Sequence, residues 1–197
     1  GSNDLIFDAR TRIATSSGTN MKDTLTDFQV ISYSGGTGKA NFTAYMTANY
    51  TYKGDDKRTT YDVVNYSDAV IDYSTNSTAQ NSISVDFTIG SNGLMEITKT
   101  SSTTNTDYFD GYITKIIGTQ GNDTFILADR TGLPDISLEG AGGSNSVSYE
   151  NLPNDPNGYT FEVNQSTGEI SVIGTASFSG YKIDTATIRS VKLTNNN

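Results

Sequence analysis

One stretch decides the fold predicted for this chain, and it reads Ile117-Gly118-Thr119-Gln120-Gly121-Asn122-Asp123-Thr124-Phe125-Ile126. Its glycines let the backbone turn tightly, and Asn and Asp are residues that favour turns. The large apolar residue Phe125 then begins a short run suited to a strand that points inward. A weaker copy follows and reads Gly140-Ala141-Gly142-Gly143-Ser144-Asn145-Ser146-Val147-Ser148. We therefore expect two turn-and-strand units in this part of the chain.

Alternation of apolar and polar residues extends the β prediction along most of the chain. Apolar side chains occupy every second position from Phe42 to Tyr52, and shorter alternating runs cover Ile83–Ile89, Tyr159–Val163 and Val191–Leu193. This period of two is typical of half-buried strands, and no segment shows the roughly 3.6-residue period of an amphipathic helix. The chain is therefore predicted to be all-β.

Turn signals divide these runs into strands. A charged segment, Lys53–Lys57, separates the first run from a second strand-like run, Thr59–Tyr66. We interpret residues 41–66 as one long antiparallel hairpin. The segments Gly90–Gly93 and Ser166–Gly168 have the composition of further turns between strands.

A diverged internal repeat relates two parts of the C-terminal region. The aligned pairs are Tyr73 with Tyr149, Val85 with Phe161, Gly93 with Gly168, Ile97 with Val172, Ile113 with Ile188, and Ile116 with Val191. They predict two stacked copies of one β unit, although two β-rich stretches can also match by coincidence. We divide the chain into an N-terminal β region, residues 1–66 with the hairpin at 41–66, and two diverged repeats, residues 67–126 and 140–197, within one continuous domain.

The composition excludes several classes of function. The chain of 197 residues carries a net charge of −9, and it has 17 Asp but only 5 Glu. Nucleic acids and anionic membrane surfaces need clustered Lys and Arg, so neither is an expected partner. The chain has no His and no Cys, which removes the usual zinc ligands, the usual general base and any Ser/His/Asp triad. No apolar run reaches the roughly 20 residues that span a membrane, so we expect no membrane insertion.

The stretch from Ile71 to Glu150 resembles haemolysin-type (RTX) calcium-binding sequence. The RTX nonapeptide is G-G-x-G-x-D-x-U-x, where U is a large apolar residue. The first turn matches it at four positions and departs from it where Thr119 replaces the second glycine. The matching residues are Gly118, Gly121, Asp123 and Phe125. The "DYS" and "VSY" segments of the family are present as Asp72-Tyr73-Ser74 and Val147-Ser148-Tyr149.

The resemblance implies a secreted protein that binds Ca²⁺ between the turns of a parallel β-roll. The metal ligands it implies are Gly118, Gly121, Asn122 and Asp123 in the first turn and Gly140, Gly142 and Asn145 in the second. Asp129 and Asp135, which flank the loop after the first turn, are further candidate ligands. Asp and backbone carbonyls supply the hard oxygen ligands that calcium prefers. The other interpretation of these segments is a plain glycine- and Asn-rich turn that needs no ion.

One good copy and one poor copy do not form a tandem array, so a full β-roll does not follow. We predict a β-roll or β-solenoid-like stack of β units with an inserted antiparallel hairpin, and a β-sandwich is the alternative. Calcium bound to the native state would raise the midpoint of thermal unfolding.

The predicted function is that of a non-catalytic, calcium-binding module of a secreted RTX-type bacterial surface protein. It would serve adhesion or recognise an extracellular glycan or peptide, beside other modules of the parent protein. One alternative is a surface-layer or spacer module that self-assembles, and another is an accessory or catalytic domain of a secreted polysaccharide-active hydrolase. No Glu lies in a recognisable catalytic setting, so we do not expect an enzyme.

Overall fold

The computed structural model of the chain describes residues 4–9, 11–16, 22–24, 29–32, 38–55, 62–69, 81–101, 103–151, 160–163, 170–173, 181–184 and 186–192. These residues form eighteen strands, numbered β1 to β18 in chain order, and no helix. The prediction of an all-β chain is confirmed. Two eight-stranded sheets contain all but two of the strands, and those two form a separate pair.

The spatial order of the strands in each sheet differs from their order along the chain. The first sheet contains β17 (Tyr181–Ile183), β13 (Ile136–Glu139), β11 (Lys115–Ile117), β7 (Val63–Asn65), β5 (Ala40–Thr43), β1 (Leu5–Asp8), β2 (Ile13–Ser16) and β3 (Lys22–Thr24). The second sheet contains β18 (Ile188–Lys192), β14 (Asn145–Ser148), β12 (Thr124–Ile126), β8 (Ser82–Asp86), β9 (Met95–Thr100), β10 (Thr104–Phe109), β6 (Thr51–Lys53) and β4 (Val30–Ser32). The separate pair is β15 (Thr160–Val163) with β16 (Ile170–Ile173).

Parallel pairing relates the strands that follow the two glycine-rich turns. β11 and β13 lie in the first sheet and β12 and β14 in the second, so the chain crosses between the sheets after β11, β12 and β13. Thr124 lies opposite Ser146 in β12 and β14, and Asp123 contacts Asn145, a residue 22 positions later. The two turns therefore lead into neighbouring parallel strands of the same sheet.

Antiparallel strands interrupt this arrangement in both sheets. β2 and β3 extend the first sheet beyond β1, and β8, β9 and β10 form an antiparallel meander within the second. The two mixed sheets fit the β-sandwich alternative. A continuous solenoid is not confirmed, because stacked solenoid repeats of the parallel β-helix type keep parallel pairing throughout.

The antiparallel hairpin predicted at residues 41–66 is wrong. β5 and β7 are parallel neighbours in the first sheet, with Asn41 opposite Val63, whereas β6 lies in the second sheet. Ala44 and Met46 stay buried while the chain turns between β5 and β6. Because alternate burial continues through this turn, a single period-two run contains two short strands that belong to opposite sheets.

The core lies between the two sheets and uses alternate strand positions. Phe42 of β5 and Tyr52 of β6 meet from opposite sheets, with ring centroids 5.2 Å apart. The alternation predicted over Ile83–Ile89 is confirmed from Ile83 to Phe87 but is wrong at its end, where Ile89 is 47% exposed. The buried apolar residues form one cluster that extends from Phe7 to Ile188. Each large side chain in it contributes roughly 1.5–3 kcal/mol to folding through burial.

The pairing of strands matches the predicted repeat in part. Val85 lies opposite Ile97 in β8 and β9, and the residues aligned with them, Phe161 and Val172, lie opposite each other in β15 and β16. The later part of the alignment fails, because β11 and β18, which it makes equivalent, belong to different sheets. Both sheets contain strands from residues 1–66 and from the rest of the chain.

The turn predicted at Gly90–Gly93 is present. The N–H of Gly93 donates to the carbonyl of Gly90, and the φ angle of Gly93 is 76°, a conformation that favours glycine. Some predicted features lie outside the described residues: Asp72-Tyr73-Ser74, residues 56–61, Tyr159, the turn Ser166–Gly168 and Leu193.

Candidate functional site

Asp123, the acidic residue of the first glycine-rich turn, is 1% exposed and lies directly before β12. Its Oδ1 atom accepts hydrogen bonds from the N–H of Ile83 at 2.8 Å and from the hydroxyl of Thr119 at 2.8 Å. Its Oδ2 atom accepts a hydrogen bond from the N–H of Thr119 at 2.7 Å. Both carboxylate oxygens therefore face donors of the protein, and they tie the turn to the start of β8.

Thr119 is the residue at which this turn departs from the RTX nonapeptide. Its N–H donates to Oδ2 of Asp123, and the single proton of its hydroxyl is shared between Oδ1 of Asp123 at 2.8 Å and the carbonyl oxygen of Asn81 at 2.7 Å. The N–H of Gly121 donates to the same hydroxyl at 3.0 Å. Gly118 has no room for a side chain, because a Cβ atom there would overlap Oδ2 of Asp123. The residue that departs from the family pattern thus brings hydrogen-bond donors to the buried carboxylate.

Asn145 holds the corresponding position in the second turn and is also 1% exposed. Its Oδ1 atom accepts a hydrogen bond from the N–H of Asp123 at 2.8 Å. Its Nδ2 atom faces three backbone carbonyl oxygens, those of Gly140 at 3.0 Å, Gly142 at 2.6 Å and Thr187 at 2.9 Å. The side chain therefore connects its own turn to the preceding turn and to the residue before β18.

Asp123, Asn145 and Thr187 form what we call the second-sheet ladder. They lie at the starts of β12, β14 and β18. The N–H of Ile83 donates to Asp123, the N–H of Asp123 donates to Asn145, and the amide of Asn145 donates to the carbonyl of Thr187. The side chains of Asp123 and Asn145 bond backbone groups of neighbouring strands, including the carbonyl of Thr187, so the ladder fixes the register of β8, β12, β14 and β18.

Asp4, Asp62 and Thr114 form a similar first-sheet ladder at the starts of β1, β7 and β11. Asp4 Oδ1 accepts a hydrogen bond from the N–H of Lys39 at 2.8 Å, and Asp62 Oδ1 accepts one from the N–H of Ala40 at 2.9 Å. The N–H of Asp62 donates to the hydroxyl of Thr114 at 2.9 Å. Short polar side chains at strand starts are thus a repeated structural device in this fold.

Burial raises the pKa of Asp123 from its ordinary value of 3.8 to about 6. Hydrogen bonds from Ile83 and Thr119 oppose this shift without cancelling it. The contributions that lower the pKa are hydrogen bonds from the protein, not a neighbouring basic side chain. The surroundings of Asp123 are those of a buried hydrogen-bond acceptor.

A buried ion pair joins Lys99 of β9 to Asp107 of β10. Lys99 Nζ lies 2.6 Å from Asp107 Oδ1, and both side chains are fully buried. The ammonium group also donates to the carbonyl of Tyr45 at 2.9 Å and to the carbonyl of Ala48. Three oxygen atoms therefore receive the three protons that an ammonium group can donate.

Asp107 is satisfied in the same way. Its Oδ1 atom accepts a hydrogen bond from the N–H of Tyr50 at 2.8 Å, and its Oδ2 atom accepts one from the hydroxyl of Tyr66 at 2.6 Å. Burial lowers the pKa of Lys99 and raises the pKa of Asp107, while the ion pair opposes both shifts. These contacts fasten β9 and β10 to the turn between β5 and β6.

Asn122, Gly140 and Gly142 belong to the contact between the two turns. Asn122 is exposed, and its Oδ1 atom accepts a hydrogen bond from the N–H of Ser144 at 2.8 Å. The N–H of Gly142 donates across to the first turn at 3.1 Å. Gly140 has no room for a side chain, because a Cβ atom would overlap the amide of Asn145.

The side chains of Asp129 and Asp135 form their contacts away from the two glycine-rich turns. Asp129 is exposed and accepts hydrogen bonds from the N–H and hydroxyl of Thr131, which hold the pKa of Asp129 below its ordinary value. The side chain of Asp135 is 58% exposed and pairs with Lys182 at 3.4 Å. Among the described residues, no three side chains of His, Cys, Asp or Glu are grouped so that they could hold a metal ion.

These contacts do not fit a calcium ion in either turn. Calcium takes about six to eight oxygen ligands, whereas the carboxylate of Asp123 faces N–H and O–H donors. In the second turn, the nitrogen of the Asn145 amide occupies the point on which three carbonyls converge. The residue types that the RTX resemblance implies are present, but their oxygens are not directed at a common cation.

The predicted site does not include Lys99, Asp107 or Thr187. A signal for Lys99 is present in the sequence, because it follows Ile97 on the buried face of β9. A charged residue on such a face needs a buried partner, and Asp107 lies on the buried face of β10. Thr187 has no comparable signal, because its carbonyl meets Asn145 across 42 residues of chain.

Comparison with known proteins identified no relative of this chain. No family model matches this sequence, and no curated protein and no solved structure shows significant similarity to it. The RTX resemblance therefore rests on the quoted residues alone. Within the part of the chain that the structure describes, no helix is long and apolar enough to cross a membrane.

Proposed function

We propose that this chain is a non-catalytic structural module of a secreted, RTX-type bacterial surface protein, in which it provides a rigid support for adhesion. The observation that supports the proposal is that the buried polar side chains form hydrogen bonds within the protein. Asp123, Asn145, Lys99 and Asp107 are almost fully buried, and each bonds backbone groups or another member of the set. Their hydrogen-bonding capacity goes into holding strands in register.

The non-catalytic part of the proposal also draws on the surroundings of two of the five glutamates. Glu139 pairs with Lys115 at 2.5 Å, and Glu96 accepts a hydrogen bond from the hydroxyl of Thr98 at 3.1 Å. Glu96 belongs to the second sheet and Glu139 to the first. These contacts favour a structural role over the hydrolase alternative. The secreted setting and an extracellular glycan or peptide ligand stay predictions from the sequence.

Calcium dependence also stays a prediction, and the contacts in the two turns favour a metal-free module. Thermal unfolding in calcium and in excess chelator, at matched ionic strength, tests the question. We expect equal midpoints, because protein donors already satisfy Asp123 and protein carbonyls already surround the Asn145 amide. A midpoint several degrees lower in chelator would contradict the metal-free state and support calcium binding.

Self-assembly is a second candidate function, favoured by the open edges of the two sheets. β17 ends the first sheet and β18 ends the second, so each presents an outer edge among the described strands. Such edges can pair with another chain, and Val191 of β18 is 42% exposed. Sedimentation velocity over a range of concentrations tests this candidate. Assembly that rises with concentration and is lost in Val191→Lys would support it, whereas a monomer at all concentrations would exclude it.

A further inference from the structure

The amide of Asn145 lies in a cage of backbone oxygen atoms. The carbonyl oxygens of Gly140, Gly142 and Thr187 lie 2.6–3.0 Å from its Nδ2 atom. An amide nitrogen has two protons to donate, so three carbonyls share two hydrogens. The cage thus has more acceptors than its occupant has protons, and its surroundings favour a positively charged group.

We infer that the Asn145 amide takes the place of a hard cation in this turn, and that replacing its nitrogen by oxygen would turn the cage into a divalent-cation site of the calcium class. The inference deepens the proposed function and rests on the two turns being metal-free. On this inference the second turn is metal-free because the Nδ2 atom of Asn145 occupies the cage, and the carbonyl of Thr187 is part of that cage.

The chemistry of the cage supports this inference. A carboxylate at position 145 would keep one oxygen for the N–H of Asp123, which now donates to Asn145 Oδ1. Its second oxygen would lie among the three carbonyls, where four oxygens repel one another unless a proton or a cation lies between them. Calcium accepts carboxylate and backbone carbonyl ligands at about 2.3–2.6 Å. Gly143 and Ser144 are exposed beside the cage, so water can complete the coordination shell.

The carboxylate of Asp123 in the first turn has surroundings opposite to those that a carboxylate at position 145 would have. Asp123 faces three donors, the N–H groups of Ile83 and Thr119 and the hydroxyl of Thr119. A carboxylate at position 145 would face three acceptors. A carboxylate at position 123 therefore meets donors, whereas a carboxylate at position 145 would meet acceptors and would need a bound proton or a cation.

The test is thermal unfolding of Asn145→Asp at neutral pH, in calcium and in excess chelator. In chelator we expect a midpoint well below that of the wild type, because the new carboxylate faces uncompensated carbonyl oxygens. Calcium should raise the midpoint of the variant by several degrees and leave the wild type unchanged. Calorimetric titration of the folded variant with calcium should show one site, and the wild type should show none there.

Two variants serve as matched controls. Asn122→Asp makes the same change in the adjacent turn, where the side chain is exposed and accepts a hydrogen bond from Ser144, so calcium should not move its midpoint. Asn145→Ala removes the amide without adding an oxygen, so it should be destabilised and not recover in calcium. Equal rescue of Asn122→Asp and Asn145→Asp would overturn the inference, because it would show a general charge effect.

The inference is also overturned if Asn145→Asp melts at the same temperature with and without calcium, or stays unfolded in both. A wild-type midpoint that drops in chelator is a different result, because it contradicts the metal-free state on which the inference rests and leaves the structural role of the module standing. The wild type and the variant measured side by side therefore separate the two results.

Discussion

The backbone N–H of Asp123 donates to the side-chain oxygen of Asn145 at 2.8 Å, across 22 residues of chain. The side chain that closes the second turn thus holds the backbone of the residue that closes the first. Asp123 in turn accepts the N–H of Ile83. A chain of hydrogen bonds therefore runs across neighbouring strands, and removing one member leaves buried groups of two strands without partners.

Asp123→Ala should lower the free energy of unfolding by about 2–4 kcal/mol. The substitution leaves the buried N–H groups of Ile83 and Thr119 without their acceptor, and each unsatisfied group costs about 1–3 kcal/mol. Urea denaturation monitored by circular dichroism measures the change. Asp129→Ala is the matched control, because Asp129 is exposed and surface substitutions change stability by about 0.5 kcal/mol or less. Similar losses in the two variants would contradict the structural role of Asp123.

The titration of Asp123 should contribute to the pH dependence of the free energy of unfolding. Its pKa is about 6 in the folded protein, against an ordinary value of 3.8, so between these values the folded state binds more protons than the unfolded state. The contribution of Asp123 to stability therefore falls as pH rises from 3.8 to about 6 and is constant above that range.

Comparison with Asp123→Asn isolates this contribution from those of the other carboxyl groups. Asn cannot titrate, so the stability advantage of the wild type over the variant should shrink as pH rises through this window. Urea midpoints at several pH values from about 4 to about 7 measure the difference. An advantage that is constant, or that grows with pH, would show that the pKa of Asp123 is not raised.

Much of the fold could be predicted from local patterns, because burial alternates along each strand. The inward-facing side chains of β8 follow from the period of two, and the turn at Gly90–Gly93 follows from its composition. Strand partners could not be predicted in this way. The run from Phe42 to Tyr52 keeps alternate burial through a turn, so its pattern does not show that the chain has crossed to the other sheet.

The two glycine-rich turns could be predicted from the sequence, but the contacts of their side chains could not. Asp123 and Asn145 correspond in two related turns of the sequence, and they are in contact. Whether a carboxylate faces donors or a cation depends on distant neighbours, and Ile83 lies 40 residues from Asp123. Thr119, the one departure of the first turn from the family pattern, supplies two of the donors.

Lys99→Met should lower the free energy of unfolding by about 3–5 kcal/mol, the usual cost of breaking a buried ion pair by removing one partner. The substitution leaves the carboxylate of Asp107 and the carbonyls of Tyr45 and Ala48 without their cation. The double variant Lys99→Met with Asp107→Asn should lose less stability than the sum of the two single variants. Additive losses in this double-mutant cycle would show that the ion pair does not couple the two positions.

Gly118→Ala should destabilise the protein by about 1–3 kcal/mol, the range of an overpacking substitution. The reason is steric, because the new Cβ atom would overlap Oδ2 of Asp123. In the Asp123→Ala background most of that overlap is gone, so the same substitution should cost clearly less. Gly93→Ala is the control: its cost comes from a φ of 76° with no atom near the new Cβ, and it should be the same in both backgrounds. If Gly118→Ala costs equally in both backgrounds, the carboxylate of Asp123 does not fill the space beside Gly118.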